Sequence, residues 1–155
     1  MNKPSIFISY SHKDEKWKDR LVTQLGVLCQ QGTFEVWTDR DIGAGETWYK
    51  KIEDAMQTAS VALFLVSANS LTSDFILKEE VARLLKRRDE EGLRIIPIIV
   101  GDCAWQGVGW LARMQARPRD GRPLQAKSVA QRDAALKEIV MEVSQIIARS
   151  SPPER

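Results

Sequence analysis

Apolar and polar positions alternate along this chain between two kinds of pattern. Short β-rich runs occur at residues 5–10 (SIFISY), 33–37 (TFEVW), 61–66 (VALFLV) and 94–100 (RIIPIIV), and each predicts a strand. Helix-spaced patterns separate them. Residues 14–30 place Trp17, Leu21, Leu25 and Leu28 on one helical face, and further helices are predicted at 47–59, 73–91 (stopped by Gly92) and 131–149. The last carries Leu136, Ile139, Val143 and Ile146 along one stripe. The run at 61–66 is apolar throughout, as a strand covered on both faces should be. Pro97 sits inside the fourth run. A proline cannot donate to a ladder, so a local bulge or an unpaired edge is expected there.

Strands that alternate with helices imply a parallel sheet with helices on both faces. Right-handed crossovers reduce the topology to a few doubly wound orders. A brief fifth strand near residues 123–126 completes the expectation: an α/β, flavodoxin-like, doubly wound parallel five-stranded sheet of order 2-1-3-4-5. Ligands of such folds bind outside the carboxyl ends of the strands, at the switch point between strands 1 and 3. Here that crevice is built from residues 9–13 and 67–79, with the loop 38–46 on the same edge.

Composition narrows the class without deciding it. The 155 residues suit one domain with a real core, and 43% hydrophobic with 28% charged residues is ordinary for a globular chain. A formal charge of +2 gives no argument for nucleic acid as partner. No apolar run approaches the ~20 residues that span a bilayer, and the short apolar lead at the N-terminus does not read as a signal peptide. Together with reduced cysteines this predicts a cytoplasmic protein. Cys29 and Cys103 are the two cysteines and His12 is the one histidine, so no structural zinc ligand set is expected. Both thiols are expected to be buried and reduced. Residues 150–155 (SSPPER) read as a linker or tail after a domain of residues 1–149.

Three polar segments carry candidate chemistry. In SHKD, Ser11 and Asp14 fit a helix cap, which accounts for Asp14, whereas Ser9, Tyr10 and Ser11 occupy the switch-point loop. TDRDIGAGETW holds Arg40, Asp41, Ile42, Gly45 and Trp48. It is either a surface turn or a lid whose arginine reaches a phosphate, and it contains neither a Walker loop nor a dinucleotide fingerprint. In SDFILKEEV, Ser73, Phe75 and Glu79 bring a hydroxyl, an aromatic ring and a carboxylate to the sheet edge. On α-helical spacing Phe75 and Glu79 share a face, and helical side chains lean back toward the crevice. The basic run at 83–88 reads as a solvated helix end. A phosphoacceptor receiver domain would need acids after strands 1 and 3, where this chain has Ser9–Tyr10 and Ser67.

FISYSHKD, WTDRDIGAGETW and SANSLTSDFILKEEV together resemble the successive boxes of a Toll/interleukin-1 receptor (TIR) domain of the bacterial type, over about residues 4–149. The resemblance implies the same sheet order. It also implies an NAD-cleaving effector (a glycohydrolase or cyclase) acting on the nicotinamide–ribose bond once assembled through TIR–TIR contacts, with NAD as substrate rather than cofactor. The family pattern of serine, any residue, tryptophan, cysteine, two residues and glutamate falls on residues 73–79 and makes Glu79 the catalytic residue. Phe75 and Ile76 replace the tryptophan and cysteine. Tyr10, Trp48 and Phe75 become candidates for stacking on a base, and Arg40 with residues 9–11 for the diphosphate. Ala44 stands where animal adaptors carry proline. The competing implication is a non-catalytic TIR–TIR signalling module. In either case the tail would lead to a sensor domain, and bacterial defence is the implied role.

Overall fold

The computed structural model describes residues 3–37 and 48–150, with the backbone alone at 48, 49 and 150. The elements run β1 (Ser5–Ser9), α1 (Glu15–Cys29), β2 (Glu35–Trp37), α2 (Trp48–Thr58), β3 (Val61–Val66), α3 (Ala68–Leu71), α4 (Ala82–Glu91), β4 (Arg94–Ile99), α5 (Gly109–Ala112) and α6 (Val129–Ser150). All strand pairs are parallel, and the order is β2-β1-β3-β4.

Side-chain alternation along β1 and β3 divides the core between two faces. Ile6, Ile8, Val61, Leu63 and Leu65 pack beneath α1 and α6, with Leu25 and Val143 fully buried against them. On the other face, Phe7 and Ala62 meet Ile52, Met56 and Leu84 from α2 and α4. Phe64, Val66 and Ile99 close the carboxyl end of that face against Ile76, Val81 and Leu111. All six residues of β3 are buried, as its apolar run requires of a central strand.

The expected fifth strand is the main departure. Four strands are present among the described residues, and residues 124–126 form a tight helical turn instead. The fifth position is held by one residue. Arg117 N–H donates to the Pro97 carbonyl at 2.8 Å, and Ile99 N–H donates to the Arg117 carbonyl at 2.7 Å, so Arg117 makes an isolated parallel bridge to Ile98. A segment interrupted by Pro118 and Gly121 cannot extend that bridge into a ladder. Pro97 lies in unbroken register opposite Phe64, so there is no bulge. Its missing donor faces the outer edge, where only this single bridge has to form.

Two side chains clasp these elements together. The Arg117 guanidinium, 8% exposed, donates to both Glu142 carboxylate oxygens at 2.7 and 2.6 Å, tying the edge of the sheet to α6. Arg87 donates to the Met56 and Ala59 carbonyls at 2.7 and 2.8 Å and so satisfies the end of α2. The basic run is thus not wholly solvated, because Arg87 is a cap. Gly92 ends α4 as expected, at φ +76°, where a side chain would be strained.

Candidate active site

Two turns meet beside the carboxyl ends of β1 and β3. In the first, Ser11 caps a short helical turn through Lys13 N–H at 3.3 Å. Asp14 does not cap α1; its side chain is buried and turned to the neighbouring loop. There it accepts a short hydrogen bond from Ser67 Oγ and another from Asn69 Nδ2 at 3.0 Å. Ser67 and Ser70 form a reciprocal capping box at the start of α3. One carboxylate therefore fastens the loop after β1 to the loop after β3. The pattern SHKD satisfies an ordinary cap, so the sequence carries no signal for this longer reach.

Beyond α3 the chain restarts as a helix at Asp74, where Ser73 Oγ accepts from Ile76 N–H at 3.3 Å. Residues Ile76–Val81 then form a π-helical turn before α4 continues. A π turn pairs each residue with the one five positions away rather than four. Glu80 lies four residues after the buried Ile76 and four before the buried Leu84, on the inward side of the helix, whereas Glu79 is exposed beside Arg83.

A cavity of about 280 Å³ opens here. Among the described residues, Tyr10, Ser11, Ser73, Phe75 and Glu80 contribute to its lining, together with His12 and Lys13 from the first turn. Ser9 stands behind it, 1% exposed, and donates from Oγ to Glu80 Oε1 at 2.6 Å. Tyr10 is 5% exposed, with the Lys18 ammonium 5.4 Å from its ring centroid, so it serves as wall rather than as an open platform. Phe75 is half-buried and packs on both neighbouring apolar clusters.

Of the residues singled out from the sequence, Tyr10, Ser11, Ser73 and Phe75 are thus brought together, with Ser9 immediately behind. Glu79 sits outside this lining. Its carboxylate is 3.9 Å from Arg83, which itself reaches Glu53 of α2 at 3.4 Å, and its side chain is 38% exposed. Arg40, Asp41, Ile42 and Gly45 lie outside the described residues. Trp48 opens α2, and only its backbone is described. Glu80 is the site residue that sequence reasoning passed over. Its signal was positional: Glu80 stands at helical spacing between Ile76 and Leu84, a polar residue on the apolar stripe.

A second, more polar cavity of about 400 Å³ lies across Asp14 from the first, bordered by Trp17, Arg20, Asn69 and Arg132. Arg20 and Arg132 both lie over the Trp17 ring, at 4.9 and 5.0 Å from its centroid. The cysteines are half-buried and unpaired, and burial pushes both thiols above their ordinary pKa. Among the described residues no helix is long and apolar enough to cross a membrane.

With this geometry established, comparison with known proteins places the chain. A family model described as TIR domain matches residues 6–139. The chain is 37% identical over 155 residues to the uncharacterized protein y4lF of Sinorhizobium fredii, covering 98% of this chain and 48% of that protein. It therefore spans about half the length of that relative. The fold is similar to the crystal structure of the RPS4 and RRS1 TIR domain heterodimer, with a TM-score of 0.61 at 16% identity over 94% of this chain and 99% of that one. A prokaryotic SEFIR domain gives 0.55 at 19% identity over 99% of both chains. The TIR domains of the activated Roq1 resistosome give 0.50 at 16%, over 92% of this chain and 84% of that one. At such identities the structural likenesses speak for the fold alone, and membership rests on the family model: this chain belongs to the Toll/interleukin-1 receptor (TIR) domain family.

Proposed function

We propose that this chain is an NAD-cleaving TIR effector domain that breaks the nicotinamide–ribose bond and works when several copies assemble. One observation supports this above others. At the switch-point edge of the sheet, a cavity combines hydroxyls (Ser11, Ser73), an aromatic ring (Phe75) and a carboxylate (Glu80), with Glu79 on the adjoining, more exposed side of the same helix. That is the chemistry a ribosyl group and its base require.

The reaction asks little of the protein in acid catalysis. Nicotinamide in NAD is already cationic and departs as a neutral molecule with the bonding electron pair. The positive charge left on the ribosyl centre needs a fixed anion in a partly dry crevice, and preorganised charge of this kind is usually the largest catalytic contribution. Water then adds to the anomeric carbon and gives up a proton; if an adenine nitrogen adds instead, the product is cyclic. Glu79 is the catalytic group by the family pattern. Arg40, Asp41, Ile42, Gly45 and Trp48 would complete the substrate-binding set from the second box. Self-association through TIR–TIR contacts fits the heterodimer and resistosome among its structural neighbours. The chain spans about half the length of y4lF, so the activity proposed is that of the TIR domain itself. NAD as substrate is consistent with a cytoplasmic setting and a defence role.

The alternative is a non-catalytic TIR–TIR adaptor, for which contact between copies of the kind seen in those neighbours would suffice. The two readings separate in one experiment. Protein clustered on a multivalent tether is incubated with NAD, and nicotinamide release is followed for wild type and Glu79→Ala. The enzyme reading expects a loss of about 100-fold or more, the scale of removing one preorganised group at a reacting centre. If clustered wild type releases no more than Glu79→Ala, the adaptor reading stands in its place.

A further inference from the structure

Resting on the reading that ribose is bound in this crevice, we infer that Glu80 is a second functional carboxylate of the site, contacting the ribose hydroxyls of the substrate, with Ser9 as its positioning partner.

Period-two alternation puts Ser9 on the same face of β1 as Phe7, which points into the apolar cluster beneath α2 and α4. An apolar residue would serve the core at that position. Instead the strand ends on a serine 1% exposed, whose hydroxyl donates to a glutamate 7% exposed at 2.6 Å. Buried polar groups are costly to desolvate, and replacing both partners of a buried hydrogen bond by apolar groups of similar shape can be nearly neutral or stabilising. Stability alone therefore gives a weak reason for the pair.

Its place gives a stronger one. The same carboxylate lines the cavity with Phe75, Ser73 and Ser11, and it belongs to the π-helical turn at Ile76–Val81. Such turns are rare and occur frequently at functional sites. Glu80 stands on the buried stripe of this helix between Ile76 and Leu84, where an apolar residue would ordinarily serve, and the π turn lies across it. A carboxyl group has two oxygens, and the Ser9 hydroxyl holds Oε1 in place. Two oxygens held side by side match the two vicinal hydroxyls of a ribose, and Ser9 fixes the rotation of the group that receives them. Glu79, toward Arg83 and α2, and Glu80, toward β1, then flank the same helix start with separate tasks.

Glu80→Gln tests the charge while keeping the shape, since its amide oxygen still accepts from Ser9. Thermal unfolding, calorimetric binding of ADP-ribose and the NAD kinetics of clustered protein are measured on wild type, Glu80→Gln and Ser9→Ala. We expect Glu80→Gln to unfold within a few degrees of wild type, to bind ADP-ribose at least tenfold more weakly, and to raise KM by a similar factor. Ser9→Ala should weaken ADP-ribose binding and raise KM, each about three- to tenfold, and it carries the test if Glu80→Gln does not fold. Wild-type affinity and KM in a folded Glu80→Gln overturn the inference and leave NAD cleavage intact, as does an unchanged Ser9→Ala when that variant carries the test. Glu80-dependent binding of ADP-ribose without nicotinamide release overturns cleavage and supports the inference. Wild type that neither cleaves NAD nor binds ADP-ribose overturns both.

Discussion

Phe75 stands where the family pattern has tryptophan, and its setting defines what that change does. The ring is half-buried between two apolar clusters and still borders the cavity, so it can present one face to a planar base. Base–aromatic stacking is worth about 1–3 kcal/mol by alanine substitution. Phe75→Ala should therefore raise KM for NAD roughly 10-fold or more, by the rule that 1.4 kcal/mol is tenfold. Phe75→Trp, with its larger ring, should lower KM by about threefold at little change in kcat, provided that overpacking stays small. Steady-state kinetics on clustered protein decide it, and equal KM values for wild type and Phe75→Ala would remove the ring from substrate binding. At this scale the sequence was informative about residue type more than direction. Ser73, Phe75 and the Ser9–Ser11 loop could be placed at the crevice from strand ends alone. Asp14 could not, because an acid after Ser11 already satisfies a helix-start pattern, and its reach to Ser67 and Asn69 depends on how two distant loops are brought together.

Elements followed the apolar periods closely, and they departed where one residue alters the geometry. The four strands and their neighbours were legible because β3 is apolar on both faces and the flanking helices carry clear stripes. The π turn was not legible, since inserting one residue in ILKEEV leaves composition and hydrophobicity almost untouched while rotating every later side chain. The fifth strand reduced to Arg117 for a related reason: a single backbone bridge needs no β pattern at all. Its hold depends on the clasp from β4's edge to α6. Donation from the Arg117 guanidinium keeps the Glu142 carboxyl below the ordinary range for glutamate. The folded chain therefore binds fewer protons than the unfolded one as pH falls through that range. The clasp's contribution is complete above the unfolded value, about 4.3, and is lost as pH drops through the lower folded value. Breaking a buried pair costs about 3–5 kcal/mol. Glu142→Ala should thus lower Tm by roughly 6–20 °C at pH 7, taking 2–4 °C per kcal/mol for a domain of this size. Thermal scans should show the gap to wild type closing below about pH 4. A gap that stays constant down to pH 3 would mean that the pair's charge contributes nothing to stability.

For the molecule as a whole, the crevice opens at one edge of a doubly wound sheet, where the loops after β1 and β3 are locked together by Asp14. Topology at this level needed only the alternation of elements, which is why it could be read before any side chain was placed. If catalysis belongs to assembled copies, as proposed, the second box of one copy would complete the site of its neighbour. The kinetic consequence is direct. If each working site needs two chains, turnover per chain must rise with the fraction of chains in contact and level off when all are paired. Specific nicotinamide release should then increase at least tenfold between dilute protein and the same protein on a multivalent tether, while the Glu79→Ala chain stays flat. Mixing supplies the sharper measurement. Tethered assemblies of Glu79→Ala chains with chains altered at Arg40 should regain activity that neither variant has alone, because each lacks a different half of a shared site. Sedimentation of the same mixtures reports whether contact has formed. Mixed assemblies that form and yet stay inactive would place Arg40 and Glu79 in the same half of the site, so that catalysis would belong to the single fold.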